Sequence, residues 1–186
     1  MGRVSQAQAQ ENRRRIVETA SRLFREQGTH VSVADLMKAA GLTHGGFYKQ
    51  FASKEALIDE ATSHAFAELT QHHAAALDQH TGQPDAAQQA LIDAYLSVEH
   101  RDNPSDGCPV AALAGDMARE PGNQKAHRVY AQGVSDFADA LATPDQDGIT
   151  RLCTMLGALV LARATKDSPL SEEILATAHA ALTATP

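Results

Sequence analysis

Ser32-Val33-Ala34-Asp35-Leu36-Met37-Lys38-Ala39-Ala40-Gly41-Leu42-Thr43-His44-Gly45-Gly46-Phe47-Tyr48-Lys49-Gln50-Phe51 reads as two short helices joined by a tight turn. Ser32 is an N-cap, and Asp35 three residues on completes a capping box. Gly41 ends the helix, because glycine tolerates the left-handed backbone that a C-terminal stop requires. Thr43 is suited to cap the next helix, with Leu42 before it stapled onto Phe47. Phe47 and Phe51, four residues apart, share one face and turn inward, which leaves His44, Tyr48 and Lys49 facing out. Two helices of this length around a glycine turn make a helix-turn-helix, whose second helix fits the major groove of DNA. An ordinary helical hairpin with a solvated polar face fits the same pattern.

The outward residues have the chemistry for that groove. Thr43, Tyr48, Lys49 and Lys54 can donate to phosphate oxygens, while His44 and Gln50 can reach base edges. Gly45 and Gly46 cost helix propensity but leave bare backbone for a close approach. Ser53 is placed to cap the following helix, so its N-terminus and the Lys54 ammonium point at the same phosphate.

Charge is distributed to match. The chain of 186 residues carries a net −7, which alone argues against a nucleic-acid binder. Residues 1–52, however, hold eight Lys/Arg against four Asp/Glu, and residues 53–186 hold eight against nineteen. A basic head and an acidic body follow.

Outward from this stretch, apolar residues recur at helical spacing, as in Ile16, Val17, Ala20, Leu23 and Phe24. Turn signals at Gly28-Thr29-His30, Thr81-Gly82-Gln83-Pro84, Asp102-Asn103-Pro104, Glu120-Pro121-Gly122, Thr143-Pro144-Asp145 and Asp167-Ser168-Pro169 cut the chain into about nine helices with no strand. The fold is expected to be all-α, with a head over 1–52 and a body over 53–186. Residues 1–10 are polar and glutamine-rich, and are expected to be disordered without DNA.

From Ile16 to Leu57 the sequence resembles the DNA-binding domain of the TetR/AcrR family of repressors. The resemblance rests on Ile16, Ala20, Leu23-Phe24, Gly28, Ala39-Ala40-Gly41-Leu42-Thr43, Phe47-Tyr48, Phe51 and Ser53-Lys54-Glu55-Ala56-Leu57. It implies DNA contacts by Ser32, Thr43, His44, Gly45, Gly46, Tyr48, Lys49, Gln50 and Lys54. Met37 stands where the family usually has alanine, and Lys49-Gln50 where a second aromatic or His is often found. The operator therefore cannot be borrowed from a relative. For residues 53–186 the resemblance implies a helical domain that dimerises and takes a small-molecule effector, whose binding releases an inverted-repeat DNA operator.

In the body, Ser53 to about His80 reads as one Ala-rich helix that touches the head. Phe66, His73, Tyr95, Met117, Tyr130 and Phe137 are bulky or polar residues within the middle helices, candidates for effector contacts and equally for plain core. The stripes Ile149, Leu152, Cys153, Leu156, Leu159, Val160 and Ile174, Leu175, Ala178, Ala181, Leu182 suit a four-helix seam between two copies, or the protein's own core. Cys108 precedes Pro109, a helix-start residue, so a helix N-terminus would favour its thiolate. The segment also resembles the Gly-Cys helix start of electrophile-sensing members of the family, which makes redox sensing through Cys108 the alternative signal. Asp106 and Asp116 would oppose it by raising the thiol pKa. Cys153, inside an apolar stripe, is expected to be too buried to resolve a disulfide.

Other functions find no support in the sequence. His64, His72, His73 and His80 share a helix, but none are three or four apart, so no metal site is expected. No phosphate loop, nucleophile elbow or His-Glu metalloprotease pattern is present, so neither catalysis nor a cofactor is expected. The polar N-terminus is no signal peptide, and the run Met155 to Ala162 is too short to span a bilayer. A cytoplasmic protein with no membrane partner is the expectation.

Overall fold

The computed structural model describes residues 6–119, 124–144 and 146–184. Among these lie nine α-helices, one 3-10 helix and no strand. The helices are α1 (Gln6–Gln27), α2 (Val33–Ala39), the 3-10 helix (His44–Lys49), α3 (Lys54–Gln79), α4 (Pro84–Tyr95) and α5 (Val98–Asp102). They continue with α6 (Pro109–Arg119), α7 (Gln124–Leu141), α8 (Gly148–Ala164) and α9 (Leu170–Thr183). The turn expected at Glu120-Pro121-Gly122 lies outside the described residues, as do Asp145 and residues 1–5. Residues 6–10 belong to α1, against the disorder expected of them.

Two apolar cores organise these helices. Ile16, Ala20 and Phe24 of α1 meet Leu36, Met37, Phe47, Phe51 and Leu57 in the head. Ile92, Tyr95, Phe137, Leu141, Met155, Leu159 and Leu175 form the body. Helix α3 belongs to both, with Leu57, Ile58 and Ala61 in the first core and Phe66 in the second. Leu113 and Met117 of α6 also enter the head core. Each fully buried Leu, Ile or Phe contributes roughly 1.5–3 kcal/mol. Between α3 and α7 the packing is tight enough to demand glycine. A Cβ at Gly133 would sit 2.1 Å from the Phe66 ring.

The late helices depart from the expected seam. Leu152 and Leu159 point into their own core and are buried there, so they cannot face a second copy. The outward apolar residues of α8 are Ile149, Val160 and Leu161, together with exposed Cys153. Leu156, Ile174 and Ala178 are half-buried at the edge of the core. The exposure of Cys153 corrects its expected burial. A helical stripe gives the face but not which neighbour it meets, and here the stripe straddles core and surface.

Candidate nucleic-acid interface and the cavity behind it

The reading segment is built as the sequence suggests at its start and differently at its centre. The Asp35 backbone N–H donates to Ser32 Oγ (3.1 Å), while the Ser32 hydroxyl lies 2.6 Å from Asp35 Oδ2. Gly41 takes φ +66, the left-handed turn that stops α2. The following helix, however, is 3-10 and not α, and Thr43 makes no side-chain cap. Two adjacent glycines favour this departure, since each costs about 1 kcal/mol of α-helix propensity relative to alanine. Phe47 is fully buried and stacks with Phe51 at 5.6 Å between centroids. That anchoring turns Tyr48 outward, 66% exposed, with His44 edge-on to it at 6.3 Å.

Ser32, Thr43, His44, Gly45, Tyr48 and Lys49 are all exposed, and Gly46, Gln50 and Lys54 half-exposed. A methyl group at Gly45 would meet nothing within 4 Å. At the start of α3 the Ala56 N–H donates to Ser53 Oγ (3.2 Å). Glu55 also uses this helix start: its own backbone N–H, then the Ser53 hydroxyl, hold its carboxyl below the ordinary value. A phosphate beside Lys54 therefore shares that terminus with a carboxylate. One residue absent from the sequence reading holds the segment from behind. Arg13 of α1 donates to the Gln50 carbonyl, pairs with Glu60, and lies 4.2 Å over the Phe51 ring. No local pattern marks it, because its partners are 37 and 47 residues away.

Behind the head, a cavity of about 640 Å³ opens between α3, α4 and the start of α6, a size that suits a small organic molecule. A second cavity of about 650 Å³ lies between α3 and α7. His73 lines both, with Tyr95 in the first and Phe66 and Phe137 in the second. Met117 and Tyr130 line neither. Met117 is packed in the head core, and the Tyr130 hydroxyl donates to the Val110 carbonyl (2.8 Å). Of the six candidates, these two stand away from both cavities.

Cys108 lines the first cavity and caps α6, yet it is only 4% exposed, and that burial pushes its thiol pKa up. The Tyr95 hydroxyl and the N–H groups of Ala111 and Val110 act the other way and lose. The thiolate expected at a helix start is thus outweighed by desolvation. The acidic neighbours have other work: Asp106 pairs with Arg22 (3.2 Å), and Asp116 accepts from the Thr29 backbone N–H (2.9 Å). His100, beside the cysteine, is fixed as a neutral ring. Its Nε2 accepts from the Cys108 N–H (3.2 Å), so its Nδ1 carries the proton facing the Tyr95 carbonyl (2.7 Å). Burial, the main cause, lowers its pKa accordingly.

The head fastens to this cavity through Arg25 of α1. Its side chain, 4% exposed, donates to Glu68 of α3 (2.7 Å) and to the Gly107 carbonyl (3.3 Å), and it lines the cavity wall. Sequence spacing could not foresee a contact 82 residues long.

An exposed polar segment on an apolar anchor, set at the end of an all-helical body, defines a helix-turn-helix transcriptional regulator. Residues 16–61 match the family described as bacterial regulatory proteins, tetR family. An uncharacterised helix-turn-helix-type regulator of Mycobacterium tuberculosis is 28% identical over 83% of this chain and 86% of its own length. The regulator AcrR of Shigella flexneri is 41% identical over 32% of this chain and 28% of its own length. The crystal structure of reduced NemR from E. coli superposes with a TM-score of 0.76 at 21% identity, over 95% of this chain and 98% of that one. Residues 16–61 thus carry the tetR-family DNA-binding domain, and the relatives over the rest of the chain support a TetR/AcrR-family transcriptional regulator. No described helix is long and apolar enough to cross a membrane.

Proposed function

We propose that this protein is a homodimeric repressor that binds an inverted-repeat operator and leaves it when a small molecule enters the body. The observation that carries this reading is the outer face of the 3-10 helix. His44, Tyr48 and Lys49 are exposed there, and the space over Gly45 is open. Among the described residues nothing meets a Cβ at Gly45 and only ordinary contacts meet one at Gly46, whereas a closely approaching duplex would use the bare backbone. Tyr48, Lys49, Thr43 and Lys54 then contact phosphates, and His44 and Gln50 contact bases. Residues 1–52 serve as the reading domain and 53–186 as the sensing and pairing domain, with α3 connecting them. The second copy covers the outward stripe Ile149, Cys153, Leu156 and Val160, with Ile174 and Ala178 of α9 beside it. The effector occupies the cavities that flank α3, where Phe66, His73, Tyr95 and Phe137 line the walls.

The test is anisotropy with labelled DNA from upstream of the protein's own gene, titrated at several salt concentrations. Saturable binding of a dimer to one inverted repeat is expected. Lys49→Ala should reduce the salt slope by about one per protomer, because each substituted lysine leaves one phosphate un-neutralised. Indifference to sequence, or a slope unchanged by Lys49→Ala and Tyr48→Phe together, would refute the docking.

A further inference from the structure

The wall where head and body meet holds buried hydrogen-bond donors whose capacity is not used up. An arginine has five N–H groups. In Arg25, Nε donates to the Ser21 carbonyl (3.2 Å), Nη2 to Glu68 (2.7 Å) and Nη1 to the Gly107 carbonyl (3.3 Å). The other two N–H groups have no hydrogen bond among the described residues, although the side chain is almost wholly buried. Tyr95 adds a further donor. It lines the same cavity and is 5% exposed, and its hydroxyl has no nitrogen or oxygen partner among the described residues. Only the sulfur of Cys108, a weak acceptor, stands beside it. Burial raises the phenol pKa further, so the group remains a donor. His100 cannot supply an acceptor, because both of its ring nitrogens are engaged. Buried donors without acceptors are rare in folded proteins, and they are costly unless something fills the gap.

The charge balance limits what that something is. The Arg25 cation already faces the Glu68 carboxylate, and Glu99 and Asp106 add further carboxylates to the cavity lining. An anion entering here would meet them. Leu69, Ala76, Leu91 and Ala94 supply an apolar stretch of the lining, and His72, His73, His80, Gln79 and Asn103 supply polar side chains around it.

We propose that this cavity binds an uncharged, largely apolar molecule carrying a carbonyl acceptor, such as a ketone, ester or lactone, with Arg25 of the head and Tyr95 as its donors. This rests on reading the cavity as the effector site. It adds the ligand's chemical class and a binding residue that comes from the DNA-reading head itself. A carbonyl held by a spare N–H of Arg25 is tied directly to α1, so occupancy acts on the head without an intermediary.

The test uses 6-propionyl-2-(dimethylamino)naphthalene, a neutral fluorescent ketone, titrated into the full chain. One saturable site per chain is expected, with emission shifted by hydrogen bonding to the carbonyl. Tyr95→Phe and Arg25→Lys should each weaken binding by about tenfold, the worth of one good hydrogen bond. Methyl 2-naphthoate should displace the probe at about a tenth of the concentration that 2-naphthoate needs. Tyr95→Phe removes only a hydroxyl whose one neighbour is the weakly accepting Cys108 sulfur, so its melting temperature should stay close to wild type and guard against misfolding as the cause. Absence of a saturable site, wild-type affinity in both variants, or better displacement by the carboxylate would each overturn the proposal. Operator binding without any probe tests the regulator reading separately. Loss of that binding with the probe profile intact would refute the regulator and leave this site standing.

Discussion

The tip of the head and the seam behind it are built in opposite ways. At the tip, Leu36, Met37, Ala40, Phe47 and Phe51 close one apolar cluster, and the polar side chains Ser32, His44, Tyr48 and Lys49 face outward. At the seam, polar contacts distant in sequence join the apolar ones of Leu113 and Met117. Arg25 reaches Glu68 and Gly107, Arg22 reaches Asp106, and Thr29 reaches Asp116, across 43 to 87 residues. The hydroxyls of Ser21 and Thr62 are buried without partners among the described residues. Apolar packing is non-directional and holds a shape, whereas directional bonds can be exchanged for those of an incoming molecule. The tip is made to keep one form and the seam to change.

The sharpest way to break this contrast is Phe47→Ala. Emptying a fully buried aromatic site should cost about 3–5 kcal/mol, and operator binding should vanish with the tip's structure. Urea denaturation followed by circular dichroism measures it. A destabilisation below about 1 kcal/mol would mean that the tip does not depend on its apolar anchor.

Arg25→Ala probes the seam. It strands Glu68, which is one-third exposed, so the effect should be smaller, about 2 kcal/mol. The melt should also broaden as head and body uncouple. A variant as stable and cooperative as wild type would show that the seam is not fastened through Arg25.

The same contrast explains what is legible in the sequence. The tip is legible because its signals are local: Ser32 with Asp35, Gly41, and the Phe47–Phe51 spacing all lie within twenty residues. Even there, the 3-10 form is hidden, since Gly45-Gly46 act against a helix that the flanking residues support. The seam is illegible because no periodicity links Arg25 to Gly107 or Tyr95 to Cys108. Leu152 and Leu159 share the helical stripe that suggests a dimer face, yet packing against α7 and α9 claims them for the core. Cys108 misleads for a related reason: a helix start is visible in sequence, but desolvation is not.

Removing the Ser32 cap sharpens the picture at the tip's edge. Ser32→Ala should cost about 1 kcal/mol by freeing the Asp35 N–H. Because α2 carries the 3-10 helix, affinity for the operator should fall with it. Paired unfolding and anisotropy measurements would separate the two effects, and an affinity unchanged by removal of the cap would uncouple α2 from reading.

The smallest expected effect is on pH. His100 has a folded pKa below its ordinary value of 6.5, mainly through burial. The unfolded chain then binds more protons than the folded one as pH falls below 6.5. Its contribution is complete above that value and declines as pH drops through the folded pKa. The body should soften from about pH 6.5 downward, and His100→Asn should flatten that slope. Thermal melts between pH 5 and 8 record it, and an identical slope in the variant would assign the effect elsewhere, with half-buried His73, whose pKa burial also lowers, next in line.

Helix α3 runs unbroken for 26 residues, with Leu57, Ile58 and Ala61 in the head core and Phe66 in the body core. At 1.5 Å per residue it is a rod of roughly 39 Å. Pivoting it by about 5° moves the far end by about 3 Å, the length of a hydrogen bond. On the function proposed above, α3 would act as a gear: a small displacement beside the cavity would reach the reading end as the difference between contact and separation.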